Sequence, residues 1–247
     1  ITTACYIYLI RTILRQKTIA QIKNDFVNNM THELKTPITI TYSAIDAMQT
    51  FNFVEQKETR EEYFTLCRQQ LKHLSGLVEK ILSMAVDERK NFRLLKETFR
   101  IKPVIESLTL QFKLKAEKPV SFEITCEPED VTVYADKLHF TNVISNMLDN
   151  SIKYSGKSVH ISIRAVRTEK GIQIDLADNG IGIRSSQSGR IFERFYRVPK
   201  GNIHDVKGFG LGLSYVKDII ERHNGSISVE SREKEGSTFT ILIPEKK

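Results

Sequence analysis

Apolar residues near the start of the chain recur at intervals of three and four. Ile22, Phe26, Met30 and Leu34 form one stripe, the signature of a helix with one buried face. The pattern predicts a helix from residue 18 to about 50, interrupted at Pro37. Proline removes a backbone donor, so a bend or loosened hydrogen bonding is expected near Glu33. The stretch TFNFVEQKE reads as a connection, and a second helix is expected from about Glu58 to about Lys90. There Tyr63, Cys67, Gln70, Leu74, Leu77, Ile81 and Met84 alternate steps of four and three, a heptad seam. Leu66, Leu71, Val78 and Leu82 flank it. A face this wide is not hidden by one pairing of two helices. A dimer forming a four-helix bundle would hide it; packing against the rest of the chain is the alternative.

From about Arg93 the period changes. VTVY, VHISIRAV, IQIDLA, ISVES and STFTILI alternate apolar and polar residues, as strands with one buried face do. Helical stretches intervene at 101–117, 136–153 and 210–223, and a hairpin is expected around Lys170-Gly171. The expected architecture is α + α/β: a helical hairpin, then a sheet with helices on one side. The polar segment from Arg184 to Lys207 carries little periodicity, and connections of that length are usually functional or mobile. Three regions follow: 1–17, 18–92 and 93–247.

Composition changes this picture little. The 247 residues are 40% hydrophobic and 27% charged, with a net charge of +7, ordinary for a folded domain. No Lys/Arg run interleaves with aromatics, so no nucleic-acid partner is expected. Cys5, Cys67 and Cys126 are scattered, which argues against a zinc site or a disulfide framework. The chain opens on Ile1 rather than Met and reads as a fragment. Its apolar run to Ile10, followed by Arg11, Arg15 and Lys17, resembles the cytoplasmic end of a truncated membrane helix. A plain amphipathic helix or coiled-coil start is the other reading.

Candidate chemistry lies in four places. NNMTHELKTPIT carries His32 and Glu33, but Thr36 stands where a metalloprotease helix needs its second His. His32 is therefore either an ordinary solvated residue or a group that reacts with help from its neighbour. In NVISNMLDNSIKYS, Asn142, Asn146, Asn150 and Lys153 share one helix side, with Val143, Ile144, Met147 and Leu148 on the other. Stacked Asn are poor helix formers. They suit Mg²⁺ ligation beside phosphate, or else form a solvated polar face. In IQIDLADNGIGI a strand delivers Asp178 to a turn. Its carboxylate could accept from the exocyclic amine of adenine, with Gly180 and Gly182 letting backbone approach a flat base; alone, Asn-Gly more often marks a hairpin. In KGFGLGLSYVKDII, Gly208, Gly210 and Gly212 precede a helix, where free N–H groups can cradle phosphate. The spacing is neither a dinucleotide fingerprint nor a Walker loop.

Taken in order, these stretches resemble the cytoplasmic core of sensor histidine kinases of bacterial two-component systems. FVNNMTHELKTPIT resembles the family's phosphoacceptor box and NVISNMLDNSIKYS its Asn box. DNGIGI, IFERFYRV and GFGLGLSYV resemble its glycine boxes and the Phe box between them. The resemblance runs from about Lys23 to Pro244. It implies a dimeric four-helix bundle, then an α/β sandwich ATP-binding domain of the gyrase, heat-shock chaperone and histidine kinase type. It implies autophosphorylation of His32 by ATP with Mg²⁺, then transfer to an Asp of a response regulator receiver domain.

By the same resemblance, Glu33 would hold one ring nitrogen of His32 while the other attacks, and Thr36 would serve regulator dephosphorylation. Asn150, assisted by Asn146, would ligate the metal, and Lys153 and Tyr154 would contact phosphate or ribose. Asp178 would read adenine in a slot shaped by Gly180, Gly182 and Ile183. Phe192 and Phe195 would anchor a lid, either Arg194 or Arg197 would reach phosphate, and Gly208, Gly210, Leu211 and Gly212 would hold phosphates. The implied setting is the bacterial inner or cell membrane with this segment in the cytoplasm, a flexible joint near 88–95, and no receiver domain on this segment. Two alternatives are a nucleotide-binding scaffold (pseudokinase) and an ATP-driven clamp. Asn146 stands where clamp ATPases resembling this fold carry a Glu, and an amide is no general base.

Overall fold

The computed structural model describes residues 2–51, 57–86, 93–198 and 210–245. Several expected features therefore lie outside the described residues: most of the TFNFVEQKE connection, the second helix beyond Val86, the joint at 88–92 and Gly208. The chain divides into two units, Ile1–Phe92 and Arg93–Lys247.

The first unit is a helical hairpin of α1 (Thr2–Thr50) and α2 (Lys57–Val86). The helix runs unbroken through Pro37, which corrects the expected interruption. Proline removes the hydrogen bond to the carbonyl of Glu33 and crowds that carbonyl, yet the helix continues and the Pro37 ring is buried. Residues of the apolar run continue in the same helix. On the inner face α1 buries Pro37, Ala44 and Met48, and α2 buries Cys67 and Leu77 of the heptad seam. Tyr63, Gln70 and Leu74 are half-buried, whereas Leu66, Leu71 and Val78 remain exposed. The side chains of Ile22, Phe26, Ile81, Leu82 and Met84 lie outside the described residues. Among the described residues no helix is long and apolar enough to cross a membrane.

In the second unit the chain runs β1 (Lys96–Arg100), α3 (Ile101–Lys115), β2 (Val120–Glu127), β3 (Thr132–Asp136), α4 (Lys137–Lys153), β4 (Val159–Thr168) and β5 (Gly171–Asp178). A short α5 (Ser185–Ser188), then α6 (Gly212–Arg222), β6 (Ser226–Arg232) and β7 (Gly236–Ile243) complete it. The main sheet has the order β2-β4-β5-β7-β6, with β2 and β4 parallel and the other pairs antiparallel. β1 and β3 pair separately. The hairpin at Lys170-Gly171 joins β4 to β5.

Two strands, β1 and β2, go beyond the sequence-based expectation. β1 is a five-residue strand with two half-buried positions, too short for period two to stand out. β2 carries a regular signal in Val120, Phe122, Ile124 and Cys126, all partly buried against the core.

The sheet turns one face inward. Ile161, Ile163, Ile174, Leu176 and Ile241 are almost completely buried, with Phe140, Ile144, Met147 and Leu148 of α4 and Ile219 and Ile220 of α6 in the same cluster. Each such side chain contributes roughly 1.5–3 kcal/mol relative to exposure. α3 adds Ile101, Ile105 and Leu108 at helical spacing, and its Pro103 falls in the first turn, where no donor is lost.

Residues 93–95 of the expected joint belong to the second unit. The N–H of Leu95 donates to Asp136 Oδ2 at 2.8 Å, so this end of the stretch is fastened. Asp136 also caps α4 through His139 N–H at 3.1 Å. Burial pushes its carboxyl up, but these two backbone donors, with His139 and His223 nearby, together hold it below the usual value.

Its own N–H donates to Nε2 of His223 at 2.9 Å, while Nδ1 meets the carbonyl of Ile219 at 2.8 Å. That pairing defines a neutral ring with its proton on Nδ1. Burial lowers the His223 pKa, against the pull of the Ile219 carbonyl. The unfolded chain therefore takes up this proton first as pH falls. The stability is fully present above the unfolded value of about 6.5 and is lost as pH drops from there toward the folded pKa. The melting temperature of the wild type should fall between pH 7.5 and 5.5 more steeply than that of His223→Gln, whose amide oxygen accepts the same bond without titrating. Parallel slopes by circular dichroism would contradict this.

Candidate functional site

On α1, the His32 side chain is exposed, Glu33 is half-buried, and the Thr36 hydroxyl donates to the carbonyl of His32 at 3.1 Å. Helical spacing sets Thr36 one turn beyond His32 on the same side. His32 is thus open to a reactant and beside a carboxylate.

The second unit assembles its polar groups around α4. Burial of Phe140, Val143, Ile144, Met147 and Leu148 on the core side turns Asn142, Asn146 and Asn150 outward, where they are exposed or half-buried. Asn146 Nδ2 donates to the carbonyl of Asn142 at 2.8 Å, which leaves its amide oxygen available. Lys153 pairs with Asp149 at 2.6 Å, one turn back. Tyr154 follows the last turn of α4, and its carbonyl accepts from Ile181 N–H at 3.0 Å.

The start of α6 faces the Asn row. A Cβ built on Gly212 would lie 3.2 Å from Asn146 Oδ1 and 3.6 Å from Asn150 Nδ2. The missing side chain thus keeps open the space in front of both amides. No side chain caps α6 at Leu211; Ser214 instead donates its hydroxyl to the Leu211 carbonyl. The N–H groups of the first turn are left for a ligand or water. Gly210 has φ +68°, and its carbonyl accepts from Phe195 N–H at 2.9 Å. Phe195 itself sits at φ +66°, a conformation that costs a non-glycine residue about 1–3 kcal/mol. Gly208 lies outside the described residues.

At the end of β5, Asp178 is half-buried, and both carboxylate oxygens are engaged. Oδ1 accepts from Gly180 N–H at 2.9 Å and Oδ2 from the Ser151 hydroxyl at 3.0 Å. Burial pushes the carboxyl above its usual value, opposed by Gly180, Ser151 and the Ser237 N–H. Asn179 is a stitch for the sheet: its Oδ1 accepts from His160 N–H at 2.9 Å.

The two glycines of this turn have structural reasons beyond the expected approach to a flat base. A Cβ on Gly180 would lie 2.7 Å from Asp178 Oδ1 and 3.0 Å from the Tyr154 carbonyl. Gly182, at φ +67°, lies against the Arg232 carbonyl, which leaves no room for a Cβ. Ile183 N–H donates to Ser231 Oγ at 2.8 Å, and Lys234 N–H to the Ile181 carbonyl at 2.8 Å. The β6–β7 hairpin therefore braces the turn.

Between these groups, Phe192 packs edge-on against Phe239 with ring centroids 6.5 Å apart. Arg194 pairs with Asp218 of α6 at 2.6 Å. Arg197 is half-buried. Sequence reasoning missed Ser151, Ser231, Ser237 and Asp218. All are supporting residues whose partners are distant in the chain, so no local pattern marks them.

The residues suit a metal-bound nucleotide. Amide oxygens are hard ligands for Mg²⁺, the uncapped α6 start favours phosphate, and Asp178 keeps lone pairs for a base amine. The second unit is thus an α/β sandwich whose polar groups suit a nucleotide, and it shares its chain with a helical hairpin bearing an open histidine.

Known proteins share both parts of this architecture. Residues 22–88 match the His Kinase A (phospho-acceptor) domain, and residues 135–247 match the histidine kinase-, DNA gyrase B-, and HSP90-like ATPase. Sensor protein RprX of Bacteroides fragilis is 36% identical over 243 residues, covering 97% of this chain and 47% of that protein. Sensor histidine kinase WalK of Bacillus subtilis is 29% identical over 242 residues, covering 97% of this chain and 39% of that one. The chain thus spans about half the length of such relatives, or less. The solved structure of histidine kinase ThkA in complex with response regulator protein TrrA aligns with a TM-score of 0.62 at 25% identity, over 93% of this chain and 64% of that one. The chain belongs to the sensor histidine kinases, and it carries their phosphoacceptor and ATPase domains together.

Gly212→Ala should fill the space before Asn146 and Asn150. The expected outcome is a loss of Mg-dependent ATP affinity of about tenfold or more by calorimetry, equivalent to roughly 1.4 kcal/mol, with an unchanged melting temperature. Wild-type affinity in this variant would show that the space is not used.

Proposed function

We propose that this chain transfers the γ-phosphoryl group of ATP to His32 and then passes it to an Asp on the receiver domain of a response regulator. The observation that carries the reading is the open His32 ring with the Glu33 carboxylate beside it, within a stretch matching a phosphoacceptor domain. Neutral imidazole is the nucleophile. Glu33 accepts the proton of one ring nitrogen and so leaves the lone pair of the other free to attack phosphorus. The bond from that nitrogen to phosphorus forms as the bond to the β–γ bridging oxygen breaks, and ADP leaves with that electron pair.

Phosphoryl transfer asks the protein for positioning and charge compensation. Asn150, with Asn146, would hold Mg²⁺, which would supply the charge that offsets the phosphates. Lys153 and Tyr154 lie at the end of the same helix and meet phosphate or ribose. The α6 start with Gly210, Leu211 and Gly212 cradles the phosphates. Asp178 takes the adenine amine, and Gly180, Gly182 and Ile183 shape its slot. Arg194, paired with Asp218 of α6, or Arg197 reaches phosphate. Phe192 and Phe195 anchor the segment that covers the nucleotide.

The chain acts as a homodimer at a bacterial membrane, with this segment in the cytoplasm. Exposed Ile38, Tyr42, Ile45, Phe64, Leu66, Leu71 and Val78 on the hairpin support a second copy packing there. Exposed Tyr6, Tyr8, Leu9, Ile10, Ile13 and Leu14 at the start of α1 support its continuation toward a membrane. Thr36 orients the water that dephosphorylates the regulator.

Incubation with γ-labelled ATP should give an acid-labile, base-stable label on the wild type and none on His32→Ala. Label persisting on the variant would move the acceptor elsewhere, and rapid free phosphate without label would mark an ATP-driven clamp. Thr36→Ala should retain labelling yet lose about tenfold or more of the phosphatase rate toward a phosphorylated regulator; an unchanged rate would remove Thr36 from that role.

A further inference from the structure

Ser151 directly follows Asn150 on α4 and is 2% exposed. About 100° of helix rotation separates the two side chains, so Asn150 faces the α6 glycines while Ser151 points toward the end of β5. Its hydroxyl donates to Asp178 Oδ2 at 3.0 Å. Gly180 N–H holds the other oxygen at 2.9 Å, and the N–H of Ser237, opposite Asp178 in the β5–β7 register, adds a third donor. Of these three donors, the other two belong to backbone that the fold supplies for any sequence. The serine hydroxyl is the one that a side-chain choice controls.

We propose that Ser151 is a positioning residue for base recognition, its hydroxyl holding Asp178 as an ionised acceptor so that 6-amino purines are selected over 6-oxo purines. This rests on Asp178 facing the base of a bound nucleotide, as in the function proposed above. A donor to Oδ2 stabilises the carboxylate form and fixes its plane. An ionised carboxylate accepts from the 6-amino group of adenine and repels the 6-carbonyl oxygen of guanine or hypoxanthine. With Ser151 removed, Oδ2 faces a buried site without its donor. The carboxyl is then freer to rotate or take up a proton, and a protonated carboxyl donates to a 6-oxo group as readily as it accepts from an amine.

The test measures binding of Mg-bound non-hydrolysable ATP, GTP and ITP analogues to the whole chain by calorimetry, for wild type, Ser151→Ala and Ser151→Thr. Ser151→Ala should weaken the ATP analogue about five- to twentyfold and leave the GTP and ITP analogues unchanged or tighter. Discrimination therefore narrows, and Ser151→Thr, which keeps the hydroxyl, should restore it. Equal weakening of all three nucleotides would assign Ser151 a merely structural role and overturn the proposal. So would an Ala variant with wild-type discrimination. A wild type that binds none of them would overturn the nucleotide reading itself, whereas a wild type that prefers adenine with an indifferent Ser151→Ala would overturn only the role of Ser151.

Discussion

The site depends on the docking of α4 against the sheet. Five apolar side chains on one side of this helix, Phe140, Val143, Ile144, Met147 and Leu148, are buried to 1% exposure or less. Their combined contribution is on the order of 10 kcal/mol, far more than any rotation of the helix could recover on its polar side. With that face pinned, Asn142, Asn146 and Asn150 have no freedom to turn inward. Rows of amides weaken a helix, and the core supplies the stability that lets them stand in solvent.

From this constraint the rest of the ATPase unit is arranged. Gly212 at the start of α6 leaves room in front of Asn146 and Asn150. Ser151, on the same helix, reaches back to Asp178 at the end of β5. Asn150 and Ser151, consecutive residues of one helix, thus reach the start of α6 and the end of β5, and a slip in the helix register would disturb both. The β6–β7 hairpin secures the other side: Gly182 lies against Arg232, and Gly236, at φ +101°, lies against the Asp178 carbonyl.

The long helices and most strands were legible because each repeats a simple period over enough residues to be counted, whereas the four residues of α5 are too few. The Asn row was legible for the same reason, since steps of four name a helix face without any knowledge of its partner. Pro37 misled because the deleted hydrogen bond is local and visible in sequence, whereas the packing that buries its ring is tertiary. Gly182 was assigned to a flat base when a strand carbonyl also demands it. A glycine announces a close approach in sequence, but not what approaches.

By itself the sequence determined the two-part plan, the two-faced helix of the Asn row, the order of the phosphoacceptor and nucleotide motifs, and the family. Those depend on residue identity at short range. The tertiary structure alone decided that Ser151 meets Asp178, that Asp218 engages Arg194, and that Leu95 and His223 converge on Asp136. Hydrogen bonds and ion pairs act over about 3 Å, so partners separated by dozens of residues become visible when folding has brought them together.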